Sequence, residues 1–473
     1  MKILAIDQGT TGTKGFILDE DGTFTKTASF DVTQHLPQAG FVEHDAEELL
    51  SHVSQVLEAS GPVDAIGIAN QGETLIAWDG QTGRAICPAI VWQDDRSQDF
   101  CAKLKAAGAE ALTKARAGLP LDPYFSASKF RWILDHVPEA QTLRAQGRLR
   151  LGTSDAFFLD RLAGSFATDV TTASRTSLMS LDTFQWDQEL CDLFGVPMEC
   201  LPEIRASTGP FGAIKGIPVT ASMVDQQAAL FGHGVAKPGD AKITFGTGAF
   251  ALALLGQQRP QENALGLLPT VAWGIGDDMP YFALDGGVYN AGSAVNWAKG
   301  LGLFSAYDEI NAFEKPAALT RGIVFVPALS GLAAPHWDRE ASGLWLGLNL
   351  DTTKQDMMQA VLEGVALRAM EVMQAMARLG AKGASISIDG GLAENPYFGQ
   401  FLADALNLNV DVASNSDLTA LGIGRMALLG AGVSKLPPLP PPRQRYEPRG
   451  TLTAKDRTRF GIAVIRAKGW KGF

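Results

Sequence analysis

Basic side chains are in short supply: 40 Lys and Arg stand against 51 Asp and Glu in 473 residues, a net charge of −11. A surface with that balance repels phosphate backbones and anionic headgroups, so nucleic acid and a membrane are not expected as partners. Cysteine is scarce too. Cys87, Cys101, Cys191 and Cys200 are the only four, and none forms a Cys-x-x-Cys pair. So few thiols in so long a chain fit a reducing, cytoplasmic setting. The six histidines show no metal-ligand spacing. Neither a Gly-x-Ser-x-Gly elbow nor the Gly-x-x-x-x-Gly-Lys-Ser/Thr phosphate loop occurs. No apolar run nears the ~20 residues that span a bilayer, and Asp7 comes too early for a signal peptide.

What the chain does have begins at once. Ile3-Leu4-Ala5-Ile6 ends in Asp7, a Gly/Thr loop from Gly9 to Thr13 follows, and Phe16-Ile17-Leu18 leaves it. This pattern predicts a β-hairpin with a carboxylate at its mouth. Gly9 and Gly12 let backbone N–H groups converge on an anion, while Thr10, Thr11, Thr13 and Lys14 add hydroxyls and a positive charge. Asp7 is placed to hold a hard cation such as Mg²⁺, through water. The same strand–loop–strand pattern returns at Lys242-Ile243-Thr244-Phe245-Gly246-Thr247-Gly248-Ala249-Phe250. Two such hairpins in a chain too long for one core predict two similarly built domains facing across a cleft. We place the boundary at 231/232, where Gly232-His233-Gly234 offers a hinge, giving domains 1–231 and 232–473.

Elsewhere strand-like runs alternate with helical patterns, which argues for an α/β fold. Val361, Val365, Ala369, Val372 and Met376 predict one long helix over 352–379, capped by Asp351 and stopped at Gly380, its Met-rich stripe packed in the core. A final helix is expected over 453–467. The Pro-rich stretch 436–448 reads as an extended surface strap rather than an SH3 ligand.

Three further constellations bear on chemistry. Asp225, followed by Gln226 and Gln227, opens a helix-like run; it is either a helix cap or the base that accepts a hydroxyl proton during phosphoryl transfer. Glu73 and Tyr124 offer hydroxyl-binding groups, and Trp92 an apolar wall, a mixture that suits a polyol. Asp389-Gly390-Gly391, leading to Asn395, offers bare backbone on which a flat adenine can lie.

Across nearly its whole length the chain resembles the FGGY carbohydrate kinases, and within them the glycerol kinases. The motifs include Asp7-Gln8-Gly9-Thr10-Thr11, the run from Tyr124 through Lys129 to Asp135, Asp225-Gln226-Gln227-Ala228-Ala229-Leu230-Phe231-Gly232, Phe245-Gly246-Thr247-Gly248 and Gly343 through Glu363. The resemblance implies two ribonuclease-H-like domains of the actin/hexokinase type around a central cleft, a homodimer, and ATP with Mg²⁺ as cofactors. It implies Asp225 as catalytic base and Asp7 as the metal-site carboxylate. Thr10, Thr11, Lys14, Gly246 and Thr247 would contact phosphates, with Gly292, Asn296, Gly391 and Asn395 around the nucleotide. Glu73, Trp92, Tyr124, Gln226 and Phe250 would line the polyol pocket.

Some positions depart from that pattern. Lys14 stands where glycerol kinases usually have Arg, and Asn296 where they have Gln. Gly72 replaces the Arg of their Asn-Gln-Arg-Glu, and nothing adjacent in sequence restores its charge. Loss of a charged donor is worth about 1.5–3 kcal/mol, or roughly 10- to 150-fold in affinity. It also leaves room that a C4 or C5 polyol such as erythritol or a pentitol would fill, so glycerol is expected to be either a weak substrate or not the physiological one. The segment 212–218 is shorter than the loop that binds fructose 1,6-bisphosphate in some bacterial relatives, and no inhibition by that effector is expected. Two alternatives stand beside a polyol kinase: a ketose or pentulose kinase, and a non-catalytic, ATP-gated sugar-binding regulator.

Overall fold

The structure, a computed structural model, describes residues 1–260 and 265–472; 261–264 and 473, which belong to the second expected domain, lie outside them. Two large mixed sheets organise the chain. The first runs Ala213–Ile214, Ile217–Val224, Ala65–Asn70, Lys2–Gln8, Gly12–Asp19, Phe24–Asp31. The second runs Leu268–Trp273, Tyr281–Val288, Ala249–Gly256, Ala241–Phe245, Ser385–Asp389, Asn409–Val412, Gln444–Tyr446.

The two sheets repeat one pattern. In each, the strand that ends at a Gly/Thr loop pairs antiparallel with its successor and parallel with a later strand: Lys2–Gln8 with Ala65–Asn70, and Ala241–Phe245 with Ser385–Asp389. The central strands are apolar on both faces because helices cover both. Outside the first sheet lie helices Ala46–Ser60 and Ser154–Ala163; behind the second lies Lys354–Arg378. A smaller sheet, which includes Leu75–Asp79 and Ala89–Ile90, leads straight into the loop that carries Trp92.

The long helix begins later than its periodicity suggests. Its cap is Thr353 rather than Asp351, because Thr353 and Asp356 form a reciprocal capping box. The strand before Asp225 runs Ile217–Val224, so that Asp225 stands at its carboxyl end as the first residue of helix Asp225–Gly232. The Pro-rich strap is extended, as expected, and in addition contributes the edge strand Gln444–Tyr446. Segment 212–218 is a tight hairpin turning at Lys215 and Gly216. Among the described residues no helix is long and apolar enough to cross a membrane.

One helix does not respect the order of the chain. Leu418–Gly430, from the second half, packs on strands Lys2–Gln8, Ala65–Asn70 and Ile217–Val224 of the first sheet and crosses helix Asp225–Gly232. The crossing is closer than side chains permit. A Cβ at Gly422 would strike the Ala228 carbonyl, and one at Gly232 would strike the Leu418 carbonyl. Leu230, Leu252, Leu254, Leu421 and Met426 make a core that both lobes share beneath this crossing. Gly422→Ala is therefore expected to force the two backbones apart and cost about 1–3 kcal/mol. Gly461→Ala, in helix Ala454–Ala467 where a methyl meets nothing within 4 Å, is expected to stabilise by about 0.5–1 kcal/mol. Urea denaturation of the two variants checks both signs.

Candidate active site

Three cavities run in series along the cleft. The first, of about 560 Å³, is lined by Gly246, Thr247, Gly292, Asn296, Gly391 and Asn395, together with Tyr307, Asp308 and Asn311, which sequence reasoning missed. The second, of about 570 Å³, takes Thr10 and Thr11 from the first Gly/Thr loop and Thr247 and Gly248 from the second. The third, of about 140 Å³, is lined by Gly72, Glu73, Trp92, Tyr124, Asp225, Gln226 and Phe250, with Arg175, Val224 and Asp285. Thr247 belongs to the first two cavities; Thr10, Trp92, Tyr124, Phe250 and Asp285 belong to the last two. The two loops thus meet over one space that joins a wide chamber to a small one.

The wide chamber owes its shape to close backbone packing. Gly292 opens helix Gly292–Gly300, and its N–H donates to the Gly246 carbonyl at 2.9 Å. Gly390 adopts a φ of +88° directly against the Phe245 backbone, so close packing, not a ligand, requires that glycine. Asn296 accepts from the Tyr307 hydroxyl at 2.7 Å. Asn395 caps helix Pro396–Leu406 and donates to the Ile310 carbonyl at 2.9 Å, so its amide is spent on shaping the wall.

In the small chamber the side chains are fixed from behind. Lys129 is fully buried, and its Nζ donates to the carbonyls of Val91, Trp92 and Tyr124 at 3.1, 3.2 and 3.2 Å. Burial lowers its pKa to about 8, against the pull of Asp94 and Glu73. That staple holds Trp92 and Tyr124 edge to face, ring centres 5.6 Å apart. The Trp92 indole N–H donates to the Thr10 hydroxyl at 2.9 Å, tying the chamber wall to the first loop. Gln226 accepts from the buried Lys242 ammonium at 2.6 Å. Lys129 and Lys242 both lie in runs that the sequence singled out, but their work is visible only once their distant partners are.

Asp225 is half-buried at the inner end. Burial, reinforced by Asp7 and Glu73, pushes its carboxyl up to about 7; its one hydrogen bond among the described residues is from the Gln226 N–H at 2.7 Å. It does not cap its helix, whose N-cap is Val224. Burial likewise raises Asp7 to about 6, against Lys14. Lys14 lines none of these three cavities: its Nζ is paired with Asp417 at 2.9 Å, just before the crossing helix.

Two features bear on the expectations about Gly72. First, a guanidinium stands close by in the folded chain. Arg175, buried in the same cavity wall, pairs with Glu73 at 2.6 Å and with Asp285 at 3.0 Å. Second, the space is bounded on one side: a Cβ at Gly72 would lie 2.8 Å from Val224 Cγ2. Glu73 follows with a φ of +55°, a left-handed conformation for a non-glycine residue, held by the ion pair to Arg175. Gly72→Ala is expected to cost about 1–2 kcal/mol through overpacking on Val224. Most of that cost should vanish in the Val224→Ala background, a coupling that a double-mutant cycle of unfolding free energies measures.

Models of the N-terminal and C-terminal domains of the FGGY family of carbohydrate kinases match residues 2–232 and 241–431. A glycerol kinase of Koribacter versatilis is 41% identical, with 99% of each chain covered. One of Thermus brockianus is 40% identical, again with 99% of each chain covered. The crystal structure of Plasmodium falciparum glycerol kinase with ADP superposes with a TM-score of 0.91 at 30% identity, covering 98% of both chains. The chain belongs to the FGGY family of carbohydrate kinases.

Proposed function

We propose that this protein is an ATP-dependent kinase of a small polyol, with 1–231 and 232–473 as its two lobes. The observation that carries the reading is the series of cavities: a nucleotide-sized chamber opens, past two Gly/Thr loops, onto a small polar chamber that ends at the Asp225 carboxylate. Adenosine would lie among Gly292, Asn296, Gly391 and Asn395, and the phosphates between Thr10, Thr11 and the Gly246–Thr247 backbone. Lys14, engaged by Asp417, would add positive potential from behind the first hairpin.

The residues fit a divalent cation. Among the described residues no cluster of three metal-ligating side chains exists, and Mg²⁺ needs none: one or two carboxylates, water and substrate phosphates suffice. Asp7 is a half-buried carboxyl with no side-chain hydrogen-bond donor among the described residues, and its charge raises the pKa of Asp225. When bound there, Mg²⁺ would offset the phosphate charge. Asp225 takes the proton of a primary hydroxyl as that oxygen attacks the terminal phosphoryl group and ADP departs. Trp92 and Phe250 cover the carbon skeleton and exclude water. The four free thiols suit a cytoplasmic enzyme.

With Val224 standing beside Gly72, the small chamber favours a three-carbon chain. kcat/KM for glycerol is expected to exceed that for erythritol by roughly 10-fold or more, since one carbon unit in a closed pocket is worth about that much. An ADP-release screen over C3 to C6 polyols and ketoses tests this. Preference for a pentulose would overturn it in favour of the ketose-kinase alternative, and ADP release independent of every polyol and sugar would favour the regulator.

Asp225→Asn is expected to lower kcat by about 10²- to 10⁴-fold. In the wild type, kcat/KM should fall as pH drops through about 7, where the base takes up its proton. The same group sets a stability trend. Its folded pKa lies above the unfolded value of 3.8, so the folded state holds the extra proton in between and stability declines as pH rises from about 4 to 7. Asn, always neutral, escapes that decline. The variant's Tm advantage should therefore grow across the window and level off above it, which thermal melts at a series of pH values measure.

A further inference from the structure

Three carboxylates face the small chamber, Glu73, Asp225 and Asp285. Ionised carboxylates accept hydrogen bonds and donate none. A polyol bound there also needs donors to its hydroxyl oxygens, and the chamber has few to spare. The Trp92 N–H is committed to Thr10. The Gln227 amide is committed to the Thr270 hydroxyl at 3.1 Å and the Val271 carbonyl at 3.3 Å. What remains is the Tyr124 hydroxyl, the Gln226 amide nitrogen and one arm of Arg175.

That arm is the anomaly. The Arg175 side chain is 4% exposed. Its Nε donates to Glu73 at 2.6 Å, and its Nη2 lies 3.0 Å from Asp285. Its Nη1 is buried and has no partner among the described residues. A buried guanidinium nitrogen left unpaired is uncommon and calls for a ligand or a water. The two tethers also differ in origin. Glu73 follows strand Ala65–Asn70 of the first sheet; Asp285 lies on strand Tyr281–Val288 of the second.

We propose that Arg175 binds a non-reacting hydroxyl of the polyol through Nη1, and that one carboxylate from each lobe aims it there. The proposal rests on the polyol-kinase reading. It makes the guanidinium a reporter of closure: only with the two sheets as they stand here do both tethers hold, so the hydroxyl is gripped when the cleft is shut. A planar fork with two arms committed fixes the direction of the third, which the point charge of a lysine cannot reproduce.

The test compares glycerol with 1,2-propanediol and 1,3-propanediol, each of which lacks one hydroxyl, in coupled ADP-release assays on the wild type, Arg175→Lys and Asp285→Asn. Arg175→Lys should lower kcat/KM for glycerol by roughly 10- to 150-fold, mainly through KM. On the diol that lacks the contacted hydroxyl the same substitution should cost less than about 3-fold. Asp285→Asn, which keeps the guanidinium but loosens its aim, should show the same diol dependence at smaller size, and it carries the test alone if Arg175→Lys does not fold. Equal penalties on glycerol and both diols would overturn the proposal, leaving Arg175 as a strut between the lobes and the kinase reading intact. A wild type that turns over glycerol and no variant effect above 2-fold would overturn it as well. A wild type inactive on every polyol would overturn the kinase reading and this inference with it.

Discussion

The site depends on keeping negative charge out of water. Asp7, Glu73, Asp225 and Asp285 are withdrawn from solvent around one cleft, and burial raises the pKa of each. The cations available to them are few and specifically tied: Arg175 to Glu73 and Asp285, Lys14 to Asp417, Lys242 to Gln226. An anionic protein that handles an anionic substrate has little positive charge to spare. Two of the carboxyls, Asp225 and Asp7, are accordingly poised near neutrality, at about 7 and about 6. A carboxyl so poised costs less to bury than a fixed charge.

The frame that allows this is the glycine contact between the two crossing helices. Gly232 and Gly422 let the backbones touch, so the lobes share the core around Leu230, Leu252 and Leu421. The helix Leu418–Gly430 comes from the second half of the chain but covers the first sheet, so the division of labour between lobes is sharper in the sheets than in the helices.

Much of this was legible in the sequence. Both Gly/Thr hairpins, the long apolar helix and the α/β class follow from local pattern and are formed as expected. The residues proposed for the polyol line the small chamber, and Gly246, Thr247, Gly292, Asn296, Gly391 and Asn395 line the wide one, whereas Lys14 turns instead to Asp417. What the sequence concealed was pairing at a distance. Val224 beside Gly72, and Arg175 between Glu73 and Asp285, join segments that nothing local connects. A guanidinium close to Gly72 could not be seen until the chain was folded. The helix cap at Thr353 was visible as Thr-x-x-Asp, yet Asp351 offered an equally good local signal, and only the reciprocal bond from Asp356 separates them.

The indole of Trp92 has a further consequence. It walls the small chamber and at the same time grips Thr10 in the first loop. The wall of the small chamber and the set of the first loop are therefore one mechanical unit: neither can shift without drawing on the other through that nitrogen–oxygen contact.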